Sequence, residues 1–151
     1  NTQRILSDSN FNQKKELCYS AAKNMNVENL CAKSKIDEHD IESLSDDELS
    51  VSKHVIEENI RVVKAAQFLK SNGAEEFGKL MTESHMSLSK YYKVSTLELD
   101  KLVDLANSFG ALGSKLTGAG FGGAIVTLVK KELVEELKKY ILDNYPNAKF
   151  I

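Results

Sequence analysis

The sequence lacks any apolar run able to cross a bilayer: its longest, Ala124 to Val129, falls far short of the ~20 residues a spanning helix needs. It also lacks a dominant charge. Twenty basic residues against twenty-two acidic ones leave a net charge of −2, which removes the broad cationic field that nucleic-acid binders carry. Only two cysteines are present, Cys18 and Cys31, too few for a disulfide framework or a metal site. A single proline in 151 residues leaves room for long helices, since proline interrupts both helix and sheet ladders. There is no internal repeat, no low-complexity linker and no basic-then-apolar leader. A cytoplasmic protein with neither nucleic-acid nor membrane partners is therefore expected.

What is present suits one folded unit. Hydrophobic residues make up 42% of the chain and charged residues 28%, and a chain of this length hides about 70% of its unfolded surface. A single domain over residues 1–151 is expected. The opening Asn1-Thr2 has no initiator methionine, and the close at Phe150-Ile151 is apolar; both ends read as cuts within a longer protein.

Periodicity places the elements. Residues 1–9 read as polar and irregular. Phe11, Leu17, Cys18, Ala21, Ala22 and Met25 share a helical face. Ser45 with Glu48 three residues on forms a capping box that opens a long helix. Its apolar positions are Leu49, Val55, Ile56, Ile60, Val62, Val63, Ala66 and Leu69, with Glu57, Glu58, Arg61 and Lys64 on the other side, and Asn72-Gly73 ends it. Phe77, Leu80, Met81, Ser84 and Leu88 mark a shorter helix. Ser95 with Glu98 predicts a second capping box, and Gly110 stops the helix that follows. Ala124–Val129 reads as a strand buried on both faces. A last helix carries Leu133, Val134, Leu137, Tyr140 and Ile141, and Ala148–Ile151 reads as a returning strand. From residue 96 the expected order is helix, glycine turn, strand, helix, strand in one antiparallel sheet, an α+β class.

Six of the eight glycines fall between Gly110 and Gly123, a density that calls for backbone conformations closed to other residues or for close approach by a ligand. Gly118-Ala119-Gly120-Phe121-Gly122-Gly123 satisfies G-x-G-x-x-G, but a dinucleotide fingerprint opens a helix, and here a strand follows. The P-loop pattern fails because Ala124 stands where lysine is required. Two readings remain: an anion nest in which Ser114, Lys115 and Thr117 add donors, and a tight strand-to-strand turn packed under helices.

The run Gly113-Ser114-Lys115-Leu116-Thr117-Gly118-Ala119-Gly120-Phe121-Gly122-Gly123 resembles the third signature motif of the GHMP small-molecule kinases. Phe77-Gly78-x-Leu80-Met81-x-Glu83-Ser84-His85-x-Ser87-Leu88 and Tyr92-x-Val94-Ser95-x-x-Glu98-Leu99-Asp100 resemble the galactokinase branch. His54-Val55-Ile56-x-x-Glu58-Asn59-x-Arg61-Val62 continues that likeness, and Ser9-x-Phe11-Asn12 with Cys18 resembles the helix that opens the C-terminal half of those enzymes.

The resemblance implies a ferredoxin-like antiparallel sheet with added helices. It also implies the C-terminal lobe of a kinase that transfers the γ-phosphoryl of MgATP to C1 of galactose or N-acetylgalactosamine. In that family the catalytic Asp, its Arg partner and the main phosphate loop lie in the N-terminal half. No catalytic residue and no metal ligand is thus expected here; ATP and Mg2+ would be bound mainly by the other lobe, which is the expected partner. The phosphate-side loop would be Ser114, Lys115, Thr117, Gly118, Gly120, Gly122 and Gly123. Phe11 stands where the family places a sugar-contacting Tyr, as in N-acetylgalactosamine kinases, which Ser84-His85-Met86-Ser87 also resembles. Lys14 and Lys15 replace paired Arg residues, and Ala124 replaces a Cys. A catalytically silent sugar and ATP sensor and a mevalonate-kinase-like enzyme are the alternatives.

Other single residues carry less. His85 follows Ser84, but no acidic partner stands at a telling spacing, so a structural role is expected. His39 and His54 fall in a polar stretch and on a charged helical face. Glu98 and Asp100 suit the start of a helix, Cys18 suits a core, and for Lys115 a cleft-facing role and plain exposure are equally open.

Overall fold

The computed structural model describes residues 8–151, and the expectation for residues 1–7 lies outside the described residues. Helix α1 spans Asp8–Asn24, α2 Glu38–Ser43, α3 Asp46–Lys70, α4 Ala74–Ser87, α5 Leu97–Phe109 and α6 Val134–Asn144; strands β1, Gly113–Thr117, and β2, Ala124–Leu128, lie between α5 and α6. Among the described residues the sheet has two strands, antiparallel, with Gly113 opposite Leu128 and Thr117 opposite Ala124. The molecule is α+β and rich in helix, as expected.

Three apolar clusters hold these elements. Ala21 and Ala22 of α1, with Met25 just beyond its end, meet Leu30 and, on α3, Ile56, with Cys18 packed at the edge. Val94, Leu99 and Leu116 join α5 to β1. Ala106, Leu137 and Ile141 join α5 to α6.

The capping box at Ser45 forms as the spacing predicts, and its glutamate does more. Glu48 accepts from the Ser45 amide at 2.9 Å and hydroxyl at 2.8 Å, and also from Ser20 Oγ at 2.5 Å and Asn24 Nδ2 at 3.0 Å on α1. One buried carboxylate thereby caps α3 and ties α1 to it. Those donors, Ser20 first, hold its carboxyl below the usual range.

Six expectations need correction. The α3 helix does not point all its apolar residues inward. Val62, Val63 and Leu69 are exposed, whereas Ser52 and His54 are buried and Arg61 and Glu58 are half-buried. Polar pairing in the interior outweighs hydropathy there. The helix ends with Asn72, not Gly73, in the left-handed conformation at φ 56°, while the Gly73 amide closes the end on the Phe68 carbonyl at 2.8 Å. The cap of α5 is Thr96, whose Oγ1 accepts from the Leu99 amide at 3.3 Å; Ser95 is drawn instead to Asp100 at 2.5 Å. The glycine run is preceded by a strand, so the order from α5 is helix, strand, turn, strand, helix. Lastly, residues 148–151 form no strand, and β2 is only half-buried, with Val126 47% exposed. No second strand covers its outer edge among the described residues.

The closest backbone approach lies between α4 and the start of β1. A methyl group on Gly113 would sit 1.8 Å from the Gly78 carbonyl oxygen, and one on Gly78 would sit 2.2 Å from the Leu112 oxygen. Gly110 differs: it takes φ 106° after α5 and has open space around it. Gly78→Ala should therefore cost about 3 kcal/mol or more, the upper range for overpacking. Gly110→Ala should cost only the ~1–2 kcal/mol of a left-handed residue. Urea midpoints of the two variants check this order; a Gly110 variant that loses as much as the Gly78 variant would contradict it.

Candidate functional site

The glycine turn closes β1 onto β2. Of its six residues, Gly118, Gly120, Phe121, Gly122 and Gly123 all have positive φ, at 82°, 81°, 57°, 111° and 97°. That requirement explains the glycines. Phe121 tolerates it because its ring packs on the Val94, Leu99 and Leu116 cluster and its amide donates to the Val94 carbonyl at 2.7 Å. Ring burial offsets the ~1–2 kcal/mol a side chain costs in that region. Beside it, a methyl on Gly120 would meet the same Val94 oxygen at 2.3 Å. The centre of the turn is thus nailed to the segment between α4 and α5, while Thr117 and Gly118 stay exposed at its rim.

Strand β1 is fastened to α4 residue by residue. The Ser114 amide donates to Thr82 Oγ1 at 3.3 Å and the Leu116 amide to His85 Nδ1 at 3.2 Å. These two amides leave one edge of the strand, so side chains of a helix satisfy an edge that would otherwise stand open. Between them Lys115 Nζ reaches Ser84 Oγ at 2.6 Å and Glu58 Oε1 at 3.4 Å. Ser84 donates to Glu58 at 2.5 Å, and Arg61 pairs with Glu58 at 2.7 Å and with Glu57 at 3.2 Å. Glu58, which the periodicity set on the polar side of α3, is the hub.

Two histidines flank this network. His54 Nδ1 lies 2.9 Å from Ser87 Oγ, and its ring packs at 4.6 Å on Tyr92; it is buried, not on a charged face. Burial pushes its pKa down to about 4. His85 is buried as well, and its pKa is lowered first by that burial, with Asp100 opposing. Its Nε2 lies 3.1 Å from Asp100 Oδ1, too far off the line for a hydrogen bond. The acidic neighbour missing from the sequence reading is thus supplied by α5. Asp100 in turn accepts from Ser95 at 2.5 Å and Ser89 at 3.0 Å.

The sequence-selected residues separate into groups. Thr117, Gly118, Gly120, Gly122 and Gly123 form the turn. Ser114 faces inward, its hydroxyl 2.8 Å from Thr127 Oγ1 and 3.3 Å from the Val126 carbonyl. Lys115 is neither free nor simply solvated, being held by Ser84 and Glu58. Phe11 lies on α1, 51% exposed, outside the cluster that anchors the turn. Ser84 and His85 are no nucleophilic pair, since the Ser84 hydroxyl serves Glu58. Asp37, His39 and Asp40 come close enough to share an ion, but Lys33 already neutralises the two carboxylates at 3.1 and 2.6 Å.

The strand–glycine turn–strand lies within the part of the chain that known proteins share. Residues 65–147 match the family described as GHMP kinases C terminal, and the chain belongs to that family. It is 40% identical to the galactokinase of Clostridium acetobutylicum and 36% identical to that of Bacillus subtilis, each time over 96% of this chain and 39% of the relative. The crystal structure of Lactococcus lactis galactokinase complexed with galactose matches with a TM-score of 0.83 at 29% identity, over 96% of this chain and 39% of that one. The chain therefore spans about two fifths of the length of these relatives. Among the described residues no helix is long and apolar enough to cross a membrane.

The buried His54 gives stability a pH dependence. A histidine whose folded pKa lies below its ordinary ~6.5 makes the unfolded state the better proton binder between the two values. Its contribution is complete above about pH 6.5 and is lost as the pH falls towards 4. His54→Gln should remove that part of the slope, so the stability gap between wild type and variant should shrink from pH 7 to pH 4 in urea titrations. A gap that stays constant over this range would show that His54 does not titrate as its burial requires.

Proposed function

We propose that this chain is the C-terminal lobe of a galactokinase-type kinase that moves the γ-phosphoryl group of MgATP to the C1 hydroxyl of galactose or N-acetylgalactosamine. The observation that carries the reading is the turn itself. It resembles the family's third motif in sequence and is held in one shape by Val94, with an exposed rim of Thr117 and Gly118. Phosphoryl transfer is achieved mostly by positioning and charge stabilisation, so a rigid wall of backbone amides is a contribution in itself.

Within this reading the roles of the motif residues narrow. The hydroxyl of Ser114 and the ammonium of Lys115 are committed to neighbours in the fold, which leaves Thr117 and the backbone of the turn to face the ATP phosphates. Asp100, the carboxylate beside His85, already accepts from Ser89 and Ser95 and is not free to hold Mg2+. The base, the metal ligands and most of the nucleotide contacts then belong to the N-terminal lobe, the partner this lobe packs against.

Phe11 is the proposed sugar-side contact. It is exposed on α1 and has no part in the core. An apolar ring offers no hydrogen bond to a bare hydroxyl, but it accommodates an acetyl methyl, whose burial contributes roughly 0.8 kcal/mol. This favours N-acetylgalactosamine as the second substrate.

The full-length protein, given MgATP and galactose or N-acetylgalactosamine, should form the 1-phosphate, whereas the isolated 151-residue chain should form none. Binding of sugar and ATP without any transfer by the full-length protein would replace this reading with that of a silent sensor. Phe11→Tyr in the full-length protein should raise the preference for galactose over N-acetylgalactosamine by about tenfold in kcat/KM, the size of one neutral hydrogen bond. An unchanged ratio would remove Phe11 from the sugar site.

A further inference from the structure

The His85 ring is the only side chain described here that links α4, α5 and the strand leading into the turn through two ring nitrogens. Nδ1 accepts from the Leu116 amide at 3.2 Å, so at neutral pH that nitrogen carries no proton and the proton sits on Nε2. Nε2 is buried and faces Asp100 Oδ1 at 3.1 Å without the angle of a hydrogen bond. A buried donor left in that state in a folded protein calls for an explanation. Leu116 is one residue before Thr117 and is 2% exposed. The next fixed point in the chain is Phe121, whose amide and ring hold the far side of the turn. The turn is thus suspended between two anchors, and His85 is one of them.

We propose that His85 is a positioning residue for the glycine turn: its Nδ1 accepts from Leu116, and the charge of the Asp100 carboxylate, 3.1 Å from Nε2, favours the tautomer that carries its proton there. The inference rests on the kinase reading in so far as the turn faces the ATP phosphates. Its physical content is a conflict of donors. When the imidazole gains a second proton, Nδ1–H points at the Leu116 N–H and that bond is lost. The end of β1 is released one residue before the rim of the turn. The change costs the amide its only described partner, and a buried donor without one is expensive.

The groups that face His85 set where this happens. Asp100 and Asp104 of α5 favour the charged ring, and Lys115 of β1 disfavours it; burial, the largest influence, also disfavours it. At neutral pH the ring is therefore neutral, and the positioned state is the resting one. Asp100 has two effects. Its charge beside Nε2 favours a proton on that nitrogen, and it brings the protonation step closer to neutrality than burial alone would leave it.

The test uses the full-length protein and three measurements. The first is the dissociation constant for MgATP by calorimetry from pH 8 to pH 5. Affinity should fall about tenfold in the acid limb as His85 is protonated. His85→Gln, whose Oε1 still accepts from Leu116 but does not titrate, should bind at pH 8 within about threefold of wild type and should lack the limb. Asp100→Asn should move the limb to lower pH, because the charge that favours the imidazolium is gone while the side chain keeps its size. The second is the 15N spectrum of ring-labelled histidine, in which His85 should show a bare Nδ1 and a protonated Nε2 at pH 8. The third is sugar 1-phosphate formation at pH 8.

Outcomes separate cleanly. A protein that forms no sugar phosphate overturns the kinase reading, yet the limb and its loss in His85→Gln would still support the positioning role. Identical limbs in wild type and His85→Gln overturn it, as does a proton on Nδ1 at pH 8 or the absence of MgATP binding at every pH. Should Asp100→Asn fail to fold through loss of its serine contacts, the glutamine variant and the ring spectrum decide alone.

Discussion

Everything near the turn depends on the fit of β1 against α4. Two backbones meet at Gly78 and Gly113 with no room for a side chain on either. From that contact onward, each step along the strand is matched by a group on the helix. Ser114 meets Thr82, Lys115 meets Ser84, and Leu116 meets His85. A lone two-stranded hairpin is marginal in water. Here the helix acts as its third member, supplying side-chain acceptors where another strand would supply carbonyls.

That arrangement explains why α3 is built with charge inside and hydrocarbon outside along part of its length. Lys115 must enter the protein to keep step with Ser84, and an ammonium there needs a counter-charge. Glu58 supplies it and is itself held by Arg61. A half-buried ion pair of this kind is a poor source of net stability but a selector of one geometry, because losing either partner leaves the other without its counter-charge. The exposed Val62, Val63 and Leu69 are what remains of the apolar content once the inward face has been given to polar residues.

Long-range contacts mark the border of what could be read from the amino acids alone. Helix caps at Ser45 and the stop at Gly110 were legible because they act within four residues. The α+β class and the turn between strands were legible too, the latter as one of two readings. What escaped were pairings across fifteen to sixty positions. Glu58 with Lys115, His85 with Asp100 and His54 with Ser87 have no periodicity to announce them: the sequence put Glu58 and His54 on a charged helical face, left Lys115 open and gave His85 a structural role without a partner. The α5 cap was misplaced by one residue for the same reason, since Ser95 had a better partner in Asp100. The strand β1 was hidden inside the glycine motif because its residues, Gly113 to Thr117, include neither an aromatic nor a β-branched pair. The returning strand at 148–151 was an inference from composition that the backbone does not follow.

The single aromatic in the turn has one more implication. Phe121 is anchored from behind by its ring and its amide, so the loop keeps its shape without help from anything in front of it. Glycine-rich loops are usually floppy and lose much conformational freedom when they close on a guest. A loop pre-folded by its own hydrophobic plug has already surrendered that freedom during folding. Whatever settles against its outer side meets a mould instead of a tether, and the association keeps nearly all the free energy its contacts supply.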